Sequence, residues 1–138
     1  MPIVANIEVE GCWRDVNRIG VPPYMGVYFV YTGSYNSNTN QVALCRLLYV
    51  GQSVNVNERV QDHEGRQAWA RFLEPGEELI YAFAAVMSSY LDDVEAALIY
   101  RLQPPCNDML KDAYCKRPLH LTIHAHPAYR LPSVLSLP

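Results

Sequence analysis

Apolar and aromatic residues gather in short runs along the chain, and these runs predict β-strands. Residues 26–31 and 42–50 are rich in aromatic and β-branched side chains, and the polar run 33–40 between them is typical of a flexible loop. The pair therefore predicts an antiparallel hairpin with a long connection. A third strand is expected over residues 79–86, and the alternating residues 119–124 indicate one more strand on an edge of the sheet.

Helix signals lie between and after these strands. Asn55 precedes Glu58 by three residues, an arrangement close to a capping box, so a helix is expected to run from this cap towards His63. Residues 67–73 predict a short second helix. A longer helix is expected to begin after Ser89 and to end before two consecutive prolines.

The composition fits a single folded domain. The chain has 138 residues, of which half are apolar and 18% are charged, and this excludes a disordered protein. Residues 26–107 are interpreted as the core, 1–25 as an N-terminal extension packed on it, and 108–138 as a C-terminal extension of the same domain. No segment approaches the ~20 apolar residues of a membrane span and no secretion signal is evident, so a cytoplasmic location is expected.

The charge limits which partners are expected, and the cysteine content limits which metal sites and disulfides are expected. The formal net charge is −3, which counts against tight, unaided binding to nucleic acid but leaves room for a local basic groove. The four cysteines are too scattered for a zinc knuckle and too few for a disulfide-framed miniature fold. Reduced thiols are therefore expected.

Two tyrosines on strands and an arginine–histidine pair on one helix form the first candidate site. In a hairpin of suitable register, Tyr28 and Tyr49 lie on the same sheet face, although a lone strand tyrosine is usually a half-buried aromatic. Arg59 and His63 are four residues apart, so on one helix their side chains reach a common point. The alternative is that Arg59 pairs with a surface carboxylate while His63 is a solvated residue at the helix end.

Glu95 occupies a position where the pattern favours an apolar residue. It falls on one helical stripe with Leu91, Leu98 and Leu102. A carboxylate buried without a partner is strongly unfavourable, so Glu95 should be neutralised by a cation or a metal, or lie exposed at a cleft. The alternative is that the stripe drifts and Glu95 faces water.

Together and in this order, these residues resemble the GIY-YIG nuclease domain. Gly26-Val27-Tyr28 corresponds to the first family motif and Tyr49-Val50-Gly51 to the second, with valine in place of isoleucine in both. The resemblance extends to the helix arginine, the histidine of many members, the metal-binding glutamate and the asparagine that often closes the domain. These four match Arg59, His63, Glu95 and Asn107.

The resemblance implies an α+β fold, a small three-stranded antiparallel sheet flanked by helices, to which a C-terminal edge strand can be added. It also implies a metal-dependent endonuclease that hydrolyses phosphodiester bonds, in DNA rather than RNA, with Mg²⁺ or Mn²⁺ held by Glu95. Tyr28 would act as a general base if a cation favours its phenolate, His63 would accept or relay the proton, and Arg59 would bind phosphate. Tyr49 would complete the catalytic set through hydrogen bonding and positioning, and these five side chains are expected to converge on one concave surface. Supporting roles would fall to Gly26, Gly51 and Asn107, the last through local structure or a phosphate contact.

Two further sets of residues are weaker candidates. A basic and aromatic set could line a nucleic-acid path, although an amphipathic surface helix explains it equally well. This set is Arg66, Trp69 and Arg71. Three histidines and a cysteine could in principle bind zinc, although their spacing matches no strong zinc pattern. These residues are His120, His124, His126 and Cys115.

The rival interpretation is a noncatalytic nucleic-acid or protein-binding module that keeps the same fold. The acidic net charge supports it, whereas the full set of catalytic side-chain types favours an enzyme. One such site cuts one strand at a time, so double-strand cleavage would need a homodimer, a larger complex or two sequential events.

Overall fold

The computed structural model describes residues 2–138, which are organised around one mixed sheet of six strands. In chain order the strands are β1 (Ile3–Arg14), β2 (Gly26–Asn36), β3 (Gln41–Ser53), β4 (Glu78–Ala85), β5 (Leu119–His124) and β6 (Val134–Leu137). Across the sheet they lie in the order β3-β2-β4-β1-β5-β6. Strands β1 and β5 are parallel, and the other neighbouring pairs are antiparallel.

This sheet contradicts the expected fold. A small three-stranded antiparallel sheet flanked by helices was predicted, whereas the six strands form a mixed half-barrel with few helices. Residues 3–14, interpreted as part of an N-terminal extension, form an interior strand between β4 and β5. Strand β5 was expected at an edge, but β6 covers it. The β1–β5 pair joins the two ends of the chain, and local sequence patterns do not encode such pairings.

Short helices connect the strands. The α-helices are α1 (Val56–Gln61), α2 (Arg66–Ala70) and α3 (Leu91–Leu102), and two 3-10 helices cover Asp15–Gly20 and Pro127–Tyr129. None of the helices in residues 2–138 has both the length and the apolar character needed to cross a membrane.

The helix boundaries confirm one predicted cap and correct two other details. The side-chain oxygen of Asn55 accepts a hydrogen bond from the Glu58 N–H at 3.2 Å, so Asn55 caps α1. Helix α1 ends at Gln61, and His63 therefore lies outside it. Helix α3 begins after Tyr90 and has no side-chain cap.

The two faces of the sheet bury separate cores. On one face, Val94 and Leu98 of α3 pack against β2 residues such as Phe29. On the other face, α1 and α2 cover β2, β3 and β4 around Tyr28 and Trp69. Side chains alternate along a strand, so Phe29 points towards α3 while Tyr28 points towards the shorter helices. The second of these faces carries most of the candidate site.

Candidate active site

Tyr28 and Tyr49 lie on the same face of the β2–β3 hairpin, as the sequence predicts. Tyr28 stands opposite Gly51, Tyr49 stands opposite Val30, and the two ring centroids are 6.0 Å apart. The Tyr28 ring lies over Gly51, where an added Cβ would overlap the ring and its hydroxyl oxygen. Glycine at position 51 therefore allows the Tyr28 ring to lie across the neighbouring strand.

The remaining motif residues hold the hairpin in place. An added Cβ at Gly26 would overlap the carbonyl oxygen of Ala84 on β4, so only glycine fits between these strands. The Val50 N–H donates to Asn107 Oδ1 at 3.0 Å, and Asn107 Nδ2 donates to the Val50 carbonyl at 2.9 Å. Asn107 thus takes the place of a neighbouring strand at the outer edge of β3. Its amide serves local structure and is not directed at a phosphate.

His63 completes an aromatic cluster although it lies beyond the end of α1. Its ring centroid is 4.4 Å from that of Trp69, 5.4 Å from that of Tyr49 and 6.0 Å from that of Tyr28. The residue is only 8% exposed. The Gly65 N–H donates to His63 Nδ1 at 2.7 Å, so the neutral ring carries its proton on Nε2.

The Nε2 atom of His63 is the unusual feature of this cluster. It is buried and has no hydrogen-bond partner among residues 2–138. Burial, helped by the nearby Arg59 charge, lowers the pKa of His63 to about 4, so the ring is neutral at pH 7. In this state Nε2 carries a proton that it can donate to an oxygen atom that reaches it, although Nε2 itself has almost no exposed surface. The proton-accepting role expected from the sequence would require the other tautomer.

Tyr28 is held in its protonated form. Burial raises the pKa of Tyr28 well above its usual value of 10, and Tyr49 raises it further. The Arg59 charge lowers it, but by less than burial raises it. The phenolate needed for a general base is therefore disfavoured here, and at neutral pH the Tyr28 hydroxyl is a hydrogen-bond donor.

Arg59 is engaged by a neighbouring carboxylate. Its guanidinium donates two hydrogen bonds to Glu64, at 2.9 and 3.2 Å, and this pairing lowers the pKa of Glu64 to about 2. Residues five apart on a continuous helix do not face each other, so the contact depends on α1 ending at Gln61. Arg59 therefore has the surface partner that one interpretation of the sequence predicted, and it meets a phosphate only by releasing Glu64.

Glu95 approaches this cluster from the other side of the sheet. Helix α3 packs on the face opposite to Tyr28, and Glu95 lies near the β3 edge, where burial and then the Glu95 charge raise the pKa of Tyr49. Four of the five predicted catalytic side chains thus gather on one face, and Glu95 meets them only beside Tyr49. The expected convergence of all five on one surface is therefore incomplete.

Glu95 is half-buried and is stabilised by an amide. Gln52 Nε2 donates to Glu95 Oε1 at 2.9 Å and to Asp92 Oδ1 at 2.8 Å. Burial raises the pKa of Glu95, so a nearby cation would stabilise its charged form. Carboxylate oxygens are ligands that Mg²⁺ prefers. Glu95 and Asp92 both accept a hydrogen bond from the same amide nitrogen, so their oxygens lie close together and fit such an ion.

Two of the three weaker candidates for nucleic-acid contact already have partners within the fold. Trp69 is 1% exposed and packs in the core, so it does not present a face for base stacking. Arg66 donates two hydrogen bonds to Asp15, at 2.7 and 3.0 Å. Arg71 is exposed and remains a candidate.

The histidines near the C-terminus do not form a zinc site. His120 Nδ1 lies 2.9 Å from Ser136 Oγ, and His126 Nδ1 accepts the Ala128 N–H at the start of a 3-10 helix. Within residues 2–138, no three His, Cys, Asp or Glu side chains are grouped as metal ligands.

The sequence did not identify the two residues that form hydrogen bonds with the charged groups of the site. Glu64 holds Arg59, and Gln52 holds Glu95. The only sequence signal for Gln52 was its place directly after the second motif. Glu64 is found only when the end of α1 is known.

Comparisons with known proteins assign no function to the chain, so the function is argued from the geometry of the site. No protein-family model, curated protein or solved structure matches the chain.

Proposed function

We propose that the protein is a metal-dependent endonuclease that hydrolyses phosphodiester bonds in nucleic acid, DNA rather than RNA. The observation that carries the proposal is the buried, unpartnered Nε2 of His63 against Tyr28 and Tyr49. A buried donor without an acceptor is unfavourable, so an oxygen from outside the chain would complete the site. A phosphate group supplies such oxygens, and Arg59 lies beside the cluster to bind its charge.

Each side chain then has a role suited to its protonation state. Hydrolysis needs stabilisation of charge on the phosphoryl oxygens and a proton for the departing oxygen. His63 donates from Nε2 to a phosphoryl oxygen, and Arg59 exchanges Glu64 for the phosphate. Tyr28, protonated at neutral pH, donates a hydrogen bond that stabilises the charge developing on the departing oxygen, which takes its proton from water. Tyr49 packs against both rings and fixes their positions.

The proposed ion is Mg²⁺ or Mn²⁺, held by Glu95 with Asp92 as the second carboxylate. When bound, it would supply Lewis-acid stabilisation of the phosphate charge and a more acidic water. Gln52 would have to turn its amide away from the two carboxylates, because it donates to both of them.

A cleavage assay with a hydroxyl deletion tests the proposal. The parent is expected to cleave DNA in Mg²⁺ and to stop in a chelator, and Tyr28→Phe should lower the rate by about 100-fold. Tyr35→Phe is the matched control, because within residues 2–138 its hydroxyl hydrogen-bonds only to the exposed Asn40 side chain. A parent that is folded and does not cleave, or a Tyr28→Phe variant as active as Tyr35→Phe, would overturn the proposal.

The second candidate function is a noncatalytic nucleic-acid or protein-binding module. The observation that favours it is that Arg59 and Arg66 are both paired with carboxylates while the net charge is −3. The same assay separates the two candidates, since a binding module cleaves neither with nor without metal. For either function the cytoplasm is the proposed compartment, and double-strand cleavage would involve a homodimer or two successive cuts.

A further inference from the structure

A groove of about 390 Å³ opens beside the candidate site. It is lined by Tyr49 of β3, by Glu95 and Ile99 of α3, and by residues 106–110 of the loop that follows α3. The groove therefore shares Tyr49, Glu95 and Asn107 with the candidate site.

The loop that lines this groove is fixed at several points. Gln103 Nε2 donates to the Lys111 carbonyl at 2.9 Å, and Lys111 Nζ donates to the Pro104 carbonyl at 2.9 Å. Asn107 is bound to the backbone of β3 through both atoms of its amide. The loop is thus anchored at its ends and in its middle, and it presents its remaining side chains in a defined arrangement.

Two large apolar side chains on this loop face outwards. Met109 is 76% exposed and Leu110 is 37% exposed. Leu110 also has a φ of 68°, in the left-handed region, which is unfavourable for a bulky side chain. An anchored loop that holds an apolar residue in such a conformation at a groove is typical of a binding surface.

The two carboxylates that line the groove disfavour a phosphate as its occupant. Among the described residues no Lys or Arg lines it, whereas Glu95 and Asp108 both do. Asp108 is exposed, and its carboxylate forms no hydrogen bond or ion pair within residues 2–138. The groove therefore fits an uncharged, planar group that has apolar faces and N–H donors on its edge.

We propose that this groove binds a nucleobase with an exocyclic amino group, adenine or cytosine, next to the bond that is cut. The inference rests on the proposed function, since the nucleobase belongs to the strand held at Arg59 and His63. Met109 and Leu110 contact the face of the base, and thioethers pack well on aromatic rings. Asp108 accepts a hydrogen bond from the amino group, which thymine lacks.

Methionine methyl NMR tests this site without relying on cleavage. The chain has four methionines, and labelled protein in a chelator is titrated with short single-stranded oligomers of dA, dC or dT. The ring current of a bound base is expected to shift the Met109 resonance, while that of Met87, exposed in a different loop, stays in place. Affinity for dA and dC should exceed affinity for dT by about tenfold, and Asp108→Ala, which removes the acceptor, should abolish most of that difference.

The outcomes distinguish this inference from the proposed function. A Met109 shift without any metal-dependent cleavage would keep the groove and reject the nuclease. Cleavage with an unmoved Met109 resonance, or with equal affinity for all three oligomers, would keep the nuclease and reject the groove. Absence of both binding and cleavage would reject both, and a groove that binds a cationic peptide in place of the oligomers would also overturn the inference.

Discussion

At the residue scale, the charged groups of the site are held by single neighbours. Glu64 occupies the guanidinium of Arg59 through two hydrogen bonds, although the Glu64 side chain is 78% exposed. Because the pairing lowers the pKa of Glu64 to about 2, a change of pH between 4 and 8 does not release Arg59. A phosphate must therefore compete with this carboxylate.

Removal of the Glu64 charge is expected to strengthen phosphate binding. Glu64→Gln should raise the affinity for an oligonucleotide in a chelator by no more than about fivefold, since an exposed ion pair is weak. Asp62→Asn removes one charge from an exposed neighbour and is the control for the general change in net charge. Equal affinities of the two variants, measured by fluorescence anisotropy, would show that Glu64 does not compete.

The buried ring of His63 makes stability depend on pH. Its pKa is about 4 in the fold against 6.5 for the free side chain, so between these pH values the unfolded chain binds more protons. The stabilisation is complete above pH 6.5 and is lost as the pH falls towards 4. The loss should reach roughly 2 kcal/mol, because one pKa unit corresponds to about 1.4 kcal/mol and residual solvent contact weakens the effect.

Urea unfolding from pH 7 to pH 4 measures this loss. The difference in unfolding free energy between the parent and His63→Gln should shrink as the pH falls. His124→Gln, a histidine substitution at an exposed position, is measured beside it as the control. A His63→Gln difference that stays constant over this range would show that the ring is not buried in its neutral form.

Local patterns predicted the residues whose partners are close in sequence. Asn55 caps α1, and Tyr28 and Tyr49 share a sheet face, because both features follow from helix-cap and strand geometry. The partners of Glu95 were not predictable in this way. Gln52 reaches Glu95 only because β3 and α3 pack together in the fold, and the sequence places these two residues in separate elements.

At the scale of elements, the sequence predicted the strands that have dense apolar runs but did not predict their order in the sheet. Strands β2, β3 and β4 contain the three predicted runs, and β5 coincides with the alternating segment 119–124. Strand β1 also alternates, with Ala5 and Ile7 buried between exposed neighbours, and this signal was overlooked. Its parallel partner lies at the far end of the chain, so its place inside the sheet depends on tertiary packing.

The interior position of β1 predicts the effect of two matched substitutions. Ile7 is 2% exposed and packs in the main core, whereas Val4 on the same strand is 63% exposed. Ile7→Ala should lower the unfolding free energy by about 2–5 kcal/mol, and Val4→Ala by about 0.5 kcal/mol or less. Chemical denaturation measures both changes in unfolding free energy. A small effect of Ile7→Ala would show that β1 is not an interior strand of the core.

At the scale of the whole molecule, the site draws on both cores of one sheet. The aromatic cluster and Arg59 belong to the face covered by α1 and α2, and Glu95 belongs to the helix on the opposite face. The two parts meet at the β3 edge near Tyr49. Metal binding and phosphate binding are therefore assigned to separate parts of the molecule and should respond separately to substitution.

The measurement that tests the proposed enzyme most directly compares Glu95→Gln with Arg59→Ala. Glu95→Gln should lower cleavage in Mg²⁺ by orders of magnitude and leave oligonucleotide binding in a chelator unchanged or slightly tighter, because the variant removes a charge that repels phosphate. Arg59→Ala should weaken both cleavage and binding. Glu8→Gln is the control, since Glu8 is exposed on β1 away from the site. If the parent cleaves DNA and folded Glu95→Gln cleaves at the rate of Glu8→Gln, then Glu95 does not hold the metal and the proposed mechanism is wrong.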